Sequence, residues 1–310
     1  MRVATYNLYL GADLSLVFGV RDRAALAEEA AVIRDQLTRT DFAARAAAVA
    51  AVLARERVDV VGVQELSRWS RIVGDGPPEV WSDFLPELLD ALTRAGEPFD
   101  AHAVNTNFRG GGRVAEQESM EVVGANAVLV RRGGAVRVTG EETGDFTAML
   151  RVPVGLDDLR VDIARSWGWV DAVADGQPFR FAVTHTEAYD AATRDAQRDE
   201  LLARIGDPGV PVVLVGDFNS DPASVGVPAP YADAWVAAGN DAASGLTCCQ
   251  AADLSNPVGA LAGRIDYVWV RDAAVTGCRV FGDRPSDRSA TGLWPSDHAG
   301  VVADLSFLRE

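Results

Sequence analysis

The sequence predicts an α/β fold in which two mixed β-sheets pack face to face and helices flank them. Three observations predict it. Apolar strand-like runs recur from the first residues to the last, and helical stretches split them into groups. No repeat, linker or composition break divides residues 1–310, so one domain is expected over that span. With 310 residues, 48% of them hydrophobic, the chain can bury a full core.

The elements follow in order. Residues 2–7 read as the first strand. Leu26, Ala30, Ile33 and Leu37 recur at helical spacing, and Phe42, Ala46, Val49 and Leu53 do so again, with Thr40 or Asp41 as the N-cap of the second helix. Residues 58–63 read as a buried strand ending at Gln64-Glu65. Residues 80–95 read as a helix with Trp81, Phe84, Leu85, Leu88 and Leu92 on one face, stopped by Gly96. Strands are expected over 101–105, 122–130, 149–154, 160–173 and 179–185. In the last of these Phe179, Phe181, Val183 and His185 alternate, so His185 shares the apolar side. A polar helix over 188–205 precedes the apolar strand 212–215, and strands are expected over 265–271, 274–281 and 300–305. Residues 109–118 and 284–296, rich in Gly, Arg, Ser or Pro, read as surface loops.

Charge and cysteine content narrow the function. The formal net charge is −16, and every basic residue except histidine is Arg. Such a field repels polyanions and disfavours non-specific nucleic-acid binding. It permits a small phosphorylated substrate, because a bound cation inverts the field locally. No apolar run approaches the roughly 20 residues of a membrane span, and the N-terminus lacks a signal-peptide pattern, so a cytoplasmic protein is expected. Cys248, Cys249 and Cys278 do not form a disulfide framework, and nothing has zinc-site spacing around His102, His185 or His298. No protein partner is implied.

Placed on this map, the polar residues show a pattern. Asn7, Glu65, His185 and Asp217 each end an apolar strand, and Asp297-His298 stands just before the last one. Strand ends are where α/β folds build sites, because the sheet holds side chains rigidly while loops admit substrate. Carboxylates, carboxamides and two histidines without a well-placed thiol suit a hard cation, Mg²⁺ or Mn²⁺.

Six segments carry a resemblance: Thr5-Tyr6-Asn7-Leu8, Val63-Gln64-Glu65, Thr184-His185, Gly216-Asp217-Phe218-Asn219, Arg264-Ile265-Asp266-Tyr267 and Ser296-Asp297-His298. In this order they resemble the endonuclease/exonuclease/phosphatase superfamily, which includes DNase-I-like nucleases, exonuclease-III-like repair enzymes, inositol polyphosphate 5-phosphatases and neutral sphingomyelinases. None of the six departs from the family pattern. The resemblance implies a DNase I-like α/β/β/α four-layer fold and a metal-dependent phosphoric ester hydrolase. It implies that Glu65 is the principal metal carboxylate, with Asn7 beside it and Asp297 completing or approaching the site. Asp217 is implied to position or deprotonate the attacking water, and Asn219 to hold a phosphate oxygen. His185 and His298 are implied to flank the scissile phosphate, with Asp266 orienting His298.

Weaker candidates for substrate binding are Asn126, Arg165, Cys248 and Cys249. The Cys pair lies near the site in this reading, and small buried residues are the favoured interpretation of it. His102 falls in no motif. A phosphodiester or a small phosphorylated metabolite is the expected substrate. Thr184-His185-Thr186-Glu187-Ala188, with Arg194 and Gln197, is similar to the sphingomyelinase pattern. A sphingomyelinase-like phospholipase C, the one reading with membrane contact, is therefore an alternative, as are a nuclease and redirected chemistry at the same metal site.

Overall fold

The computed structural model describes residues 1–152, 156 and 159–307. The chain opens with β1 (Arg2–Asn7), crosses through α1 (Arg23–Arg39) and α2 (Phe42–Glu56), and returns as β2 (Val60–Val73), parallel to β1. A parallel pair needs such a crossover. Asp22 and Asp41 cap the two helices by accepting the N–H groups of Ala25 and Ala44. Then come β3 (Glu79–Asp83), α3 (Phe84–Arg94), β4 (Phe99–Ala115), β5 (Glu118–Arg131), β6 (Val136–Asp145), β7 (Leu150–Arg151) and β8 (Leu159–Ile163). A second parallel unit follows: β9 (Ser166–Ala174), β10 (Gln177–His185), α4 (Ala191–Ile205) and β11 (Val212–Asp217), with β10 and β11 parallel. The chain ends with β12 (Ala232–Asp233), α5 (Ala234–Ala237), β13 (Asp266–Arg271), β14 (Ala273–Phe281) and β15 (Gly300–Phe307).

One sheet runs β14-β15-β1-β2-β5-β4-β8-β7, with β3 on β2, and the other runs β12-β13-β11-β10-β9-β6. Between them lies a layer of small and branched residues, among them Val3, Val60, Val128, Phe181, Val183 and Val215. The sheets approach so closely that a Cβ at Gly62 would fall 2.5 Å from a methyl of Val215. A second apolar layer, with Leu26, Val49, Leu53 and Leu88, joins the first sheet to α1–α3. A third, with Trp167, Trp169, Leu201, Ile205 and Leu214, joins the second sheet to α4. The result is the four-layer α/β/β/α arrangement, with each parallel pair at the middle of its sheet.

Several elements differ from expectation. The helix expected over 80–95 starts at Phe84. Residues before it pair as β3 with the outer half of β2, which is longer than its apolar core suggests and offers an edge to Val80 and Trp81. Glu87 secures the helix start by accepting the Asp83 N–H at 2.8 Å. Residues 109–118 are not a surface loop but the hairpin of β4 and β5. Their glycines permit close strand approach, since a Cβ on Gly111 would lie 2.7 Å from the Met120 carbonyl oxygen. The loop over 284–296 begins with a 3-10 turn and buries Asp287 and Trp294. The strand expected over 160–173 is two strands, β8 and β9. β6 has no counterpart in the sequence reading, because as a sheet edge it is mostly solvated and its apolar alternation stops after Val136 and Val138. In the expected strand 149–154, residues 150–151 pair with β8, and 153–154 lie outside the described residues.

Candidate active site

Both parallel pairs end on the same side of the sandwich, and the polar motifs stand there. In the second sheet His185, Asp217 and Asp266 sit side by side at the ends of β10, β11 and β13. Delivery of Asp217 needs the preceding glycine. Gly216 has φ 156°, and a Cβ there would lie 2.1 Å from the Thr184 carbonyl oxygen. In the first sheet Asn7 ends β1 beside Gln64. The register of β2 shifts between Val63 and Leu66, and Glu65 takes φ 58°. A bulge with left-handed backbone at a non-glycine residue re-aims a side chain, and Glu65 turns to Asn7.

Asn7 links the two sheets. Its amide nitrogen donates to Glu65 Oε1 at 3.1 Å and to Asp217 Oδ2 at 3.0 Å, while its oxygen accepts the Tyr9 N–H at 2.9 Å. In this arrangement Asn7 spaces two carboxylates and does not offer its oxygen to the cleft. The Asn219 N–H donates to Asp217 Oδ1 at 2.8 Å, and the Asn219 side chain donates to the Thr186 carbonyl at 3.0 Å, leaving its second amide hydrogen. Ser296 Oγ donates to the Asn7 carbonyl at 2.7 Å and accepts the His298 N–H at 3.1 Å, tying the last loop to β1.

The two histidines are in opposite states. His298 Nδ1 pairs with Asp266 Oδ2 at 2.8 Å. Burial opposes its charge, but Asp266, Asp297 and Asp217 outweigh burial and push the imidazole well above its ordinary pKa. His298 is therefore an imidazolium near neutrality, with Nε2 3.8 Å from Asp217 Oδ2 and 3.9 Å from Asp297 Oδ1. His185 is fully enclosed. Burial first, then the charges of Arg165 and His298, push its pKa well below the ordinary value. It is neutral, with Nε2 3.6 Å from Asp217 Oδ2. Burial and the neighbouring Asp266 push Asp217 up to about 7, against the opposing pull of His298 and of its hydrogen bonds.

These groups face a cleft of about 310 Å³. Glu65, His185, Asp217, Asn219, Asp297 and His298 line it, with Asn7 and Asp266 behind. Leu10, Leu14, Phe18, Phe108 and Tyr189 form an apolar wall, with Phe18 and Tyr189 edge to face at 5.2 Å. Arg165 also lines the cleft, with its Nε 3.7 Å from Glu187 Oε2. Asn126 does not: it is fully buried and donates to Asn105 Oδ1 at 3.0 Å, supporting the strand behind the wall. Cys248 and Cys249 are not a buried pair. Cys248 is half-buried and Cys249 exposed, both line the cleft, and their sulfurs are joined as a disulfide. Backbone pairing of residues 247–248 with Gly263 holds them at the rim. His102 lies apart on β4, 3.4 Å from Glu141.

One contributor has no motif. Arg45 on α2 is completely buried and donates to the carbonyls of Thr40 (2.7 Å), Leu8 (2.7 Å), Pro295 (3.0 Å) and Tyr9 (3.1 Å). It thereby clamps the segments that follow Asn7 and precede Asp297. Burial, opposed by Asp297, lowers its pKa to about 10, so it stays charged. Its only trace in the sequence is a charge on the apolar stripe of Phe42, Ala46 and Val49.

The donor set fits a hard cation. Glu65 and Asp297 both line the cleft; Glu65 accepts the Asn7 amide and the Leu10 N–H, and Arg45 beneath gives hydrogens to carbonyls. Burial above all pushes Asp297 up to about 6; His298 and Arg45 pull it down, and the negative charges of Glu65 and Asp266 add to the rise. Asp217, Asp266 and His298 also come within 4.8 Å of one another, but there the His298–Asp266 hydrogen bond occupies the donors.

The model of the endonuclease/exonuclease/phosphatase family matches residues 4–298. The chain belongs to that family. Members of the endonuclease/exonuclease/phosphatase family are phosphoesterase hydrolases, and this chain is an enzyme of that class. Among solved structures, D. rerio TDP2 complexed with single strand DNA product is 17% identical at TM-score 0.60, over 99% of this chain and 98% of that one. The Bacteroides thetaiotaomicron mannosyl-6-phosphatase is 18% identical at TM-score 0.57, over 99% and 100%. At these identities the likeness is one of fold. A search of curated proteins finds no match. Among the described residues no helix is long and apolar enough to cross a membrane.

Proposed function

We propose that this chain is a Mg²⁺- or Mn²⁺-dependent phosphoesterase that hydrolyses a phosphodiester or a small phosphorylated metabolite by attack of water on phosphorus. One observation carries the reading. A raised carboxylate (Asp217), a neutral imidazole (His185), an imidazolium (His298) and two further carboxylates (Glu65, Asp297) converge on one cleft. Residues 1–310 are taken as one functional domain.

Glu65 and Asp297 hold the cation, with Asn7 fixing Glu65 beside it. When bound, the cation supplies Lewis-acid polarisation of a phosphoryl oxygen and neutralises the phosphate's charge. The rest of the chemistry belongs to side chains. Asp217 orients water for in-line attack and accepts its proton; a base whose pKa lies near neutrality is suited to that task. His298 Nε2 faces the charge that grows on phosphorus and stabilises it, and Asp266 keeps the ring charged and aimed. Neutral His185 and the free amide hydrogen of Asn219 hold phosphate oxygens, and Arg165, just before β9, adds charge from the cleft wall. The net charge of −16 disfavours a non-specific grip on nucleic acid, so a small substrate is preferred.

A second reading is a sphingomyelinase-like phospholipase C. The apolar wall of Leu10, Leu14, Phe18, Phe108 and Tyr189 favours it, because such a wall accommodates an apolar leaving group.

The test is hydrolysis of an aryl phosphodiester, an aryl phosphomonoester, sphingomyelin and plasmid DNA by purified protein with Mg²⁺, Mn²⁺ or EDTA. Metal-dependent cleavage of the diester or monoester, abolished by EDTA, is expected. Preference for sphingomyelin selects the second reading. Cleavage undiminished in EDTA refutes the metal-dependent mechanism.

A further inference from the structure

The Cys248–Cys249 pair has no role in the hydrolysis derived above, yet the fold presses it against His298. The Gln250 N–H donates to the Asp297 carbonyl and the Ala299 N–H donates to the Thr247 carbonyl, both at 2.7 Å. These two bonds bracket the cysteines on one side and His298 on the other, and Cys248 pairs with His298 as an isolated antiparallel bridge. Pairing of Thr247 and Cys248 with Gly263 secures the other flank. The sulfurs and a ring nitrogen of His298 consequently lie within 4.8 Å of one another. Nδ1 of His298 is engaged by Asp266, which leaves Nε2.

We propose that, once the disulfide is opened, Cys248, Cys249 and His298 Nε2 form a site for a soft or borderline divalent cation such as Zn²⁺ or Cd²⁺. The site is distinct from the oxygen donors Glu65 and Asp297. Two thiolates and an imidazole are the ligand chemistry of such ions, whereas carboxylates select hard ones. A carboxylate on the far nitrogen of a ligating histidine fixes its tautomer and raises its basicity, and Asp266 occupies that place. Zn–S bonds of about 2.3 Å span donors roughly 3.8 Å apart, so the freed sulfurs, about 2 Å apart in a disulfide, separate by roughly 1.8 Å through side-chain rotation to bring the set into bonding range. Cys249 is exposed, so an ion reaches the pair from solvent.

The chemistry balances. A phosphine reductant and one water open the S–S bond, giving two thiols and the phosphine oxide. Metal binding then releases the two thiol protons, and His298 gives up its Nε2 proton to become a ligand. The bound ion takes His298 away from phosphate, so it silences hydrolysis, and the disulfide protects against it. This inhibition rests on the role proposed for His298; binding of the ion does not.

The experiment titrates Cd²⁺ into the whole protein, phosphine-reduced and freed of reductant, or left as the disulfide. The readout is the ultraviolet thiolate-to-Cd²⁺ charge-transfer band. The reduced protein is expected to develop the band and saturate at one equivalent, and the disulfide form and Cys248→Ser/Cys249→Ser to show none. His298→Ala is expected to weaken binding at least tenfold. Equal bands in reduced and disulfide protein, or unchanged affinity in His298→Ala, overturn the site. The redox comparison uses the unmutated chain, so it stands even if a variant fails to fold. If Cd²⁺ binds the reduced protein and hydrolysis continues, the site stands and the role of His298 in hydrolysis falls.

Discussion

Replacing Arg45 by Met tests whether the site is held from behind. Met nearly matches the arginine stem but donates nothing. The four carbonyls of Thr40, Leu8, Pro295 and Tyr9 lose their partner inside the protein. A buried acceptor left unsatisfied costs about 1–3 kcal/mol, which bounds the gross loss at roughly 4–12 kcal/mol. Relief from burying the guanidinium offsets much of this, because a buried charge is itself costly to desolvate. The net expectation is a loss of about 3–5 kcal/mol, the range for breaking a buried charge network. At 2–4 °C per kcal/mol for a large domain, Tm falls by roughly 6–20 °C. Thermal and urea denaturation of both proteins measure it. Turnover is expected to fall at least tenfold below the transition, because the freed segments carry Asn7 and Asp297. Arg45→Lys, which keeps the charge but loses the planar fork, lies between. A Met variant within about 1 kcal/mol of the parent, with normal turnover, would refute the clamp, since exposed substitutions of no consequence fall in that range.

Other outcomes follow from the same geometry. Glu65→Gln keeps size but removes ligand charge and one of the two oxygens that accept the Asn7 amide and the Leu10 N–H, so Mg²⁺-supported turnover is lost while stability falls by only about 1–3 kcal/mol; both are read on one preparation. His298→Ala lowers turnover by about a hundredfold, and Asp266→Asn lowers the His298 pKa measured by NMR titration as well as the rate. Gly216→Ala places a Cβ against the Thr184 carbonyl, 2.1 Å away in the native backbone, and is expected to cost at least 2 kcal/mol in urea unfolding, near the upper range for overpacking. Asp304 is bonded by Arg2 at 2.7 Å and Arg279 at 3.1 Å; burial opposes its charge, but these arginines hold its carboxyl below the usual range. Its stabilisation is therefore complete above about pH 4 and is lost as pH falls through the depressed value. Asp304→Asn should flatten that acid limb of a stability–pH curve.

The central strands and the helices flanking them were legible because their apolar residues repeat with period two or 3.6, or form short unbroken runs. Elements at the periphery were not. β6 alternates apolar residues only at Val136 and Val138 before a polar run, β3 reads as helix until β2 is seen to extend past its bulge, and Gly110 and Gly111 in β4 look like a loop until Phe108 and the Met120 carbonyl occupy the space their side chains would need. In the cleft, strand-end position alone marked Glu65, His185 and Asp217, since a polar residue closing an apolar strand must meet water or a partner. Asn126 fell on the wrong side because the local sequence does not say which face of a strand the neighbouring sheet will cover.

The sequence by itself determined the fold class, the family and the set of polar residues at the strand ends, because periodicity and short motifs are local properties of the chain. Only the tertiary structure decided how those residues act on one another. The charge on His298 and its absence on His185 depend on Asp266, Asp297, Arg165 and burial, brought together from separate elements. The Arg45 clamp and the seat of the Cys248–Cys249 pair beside His298 likewise join residues far apart in the chain. Electrostatic and hydrogen-bond energies depend on distance and dielectric, and both are set by the packing of the sheets.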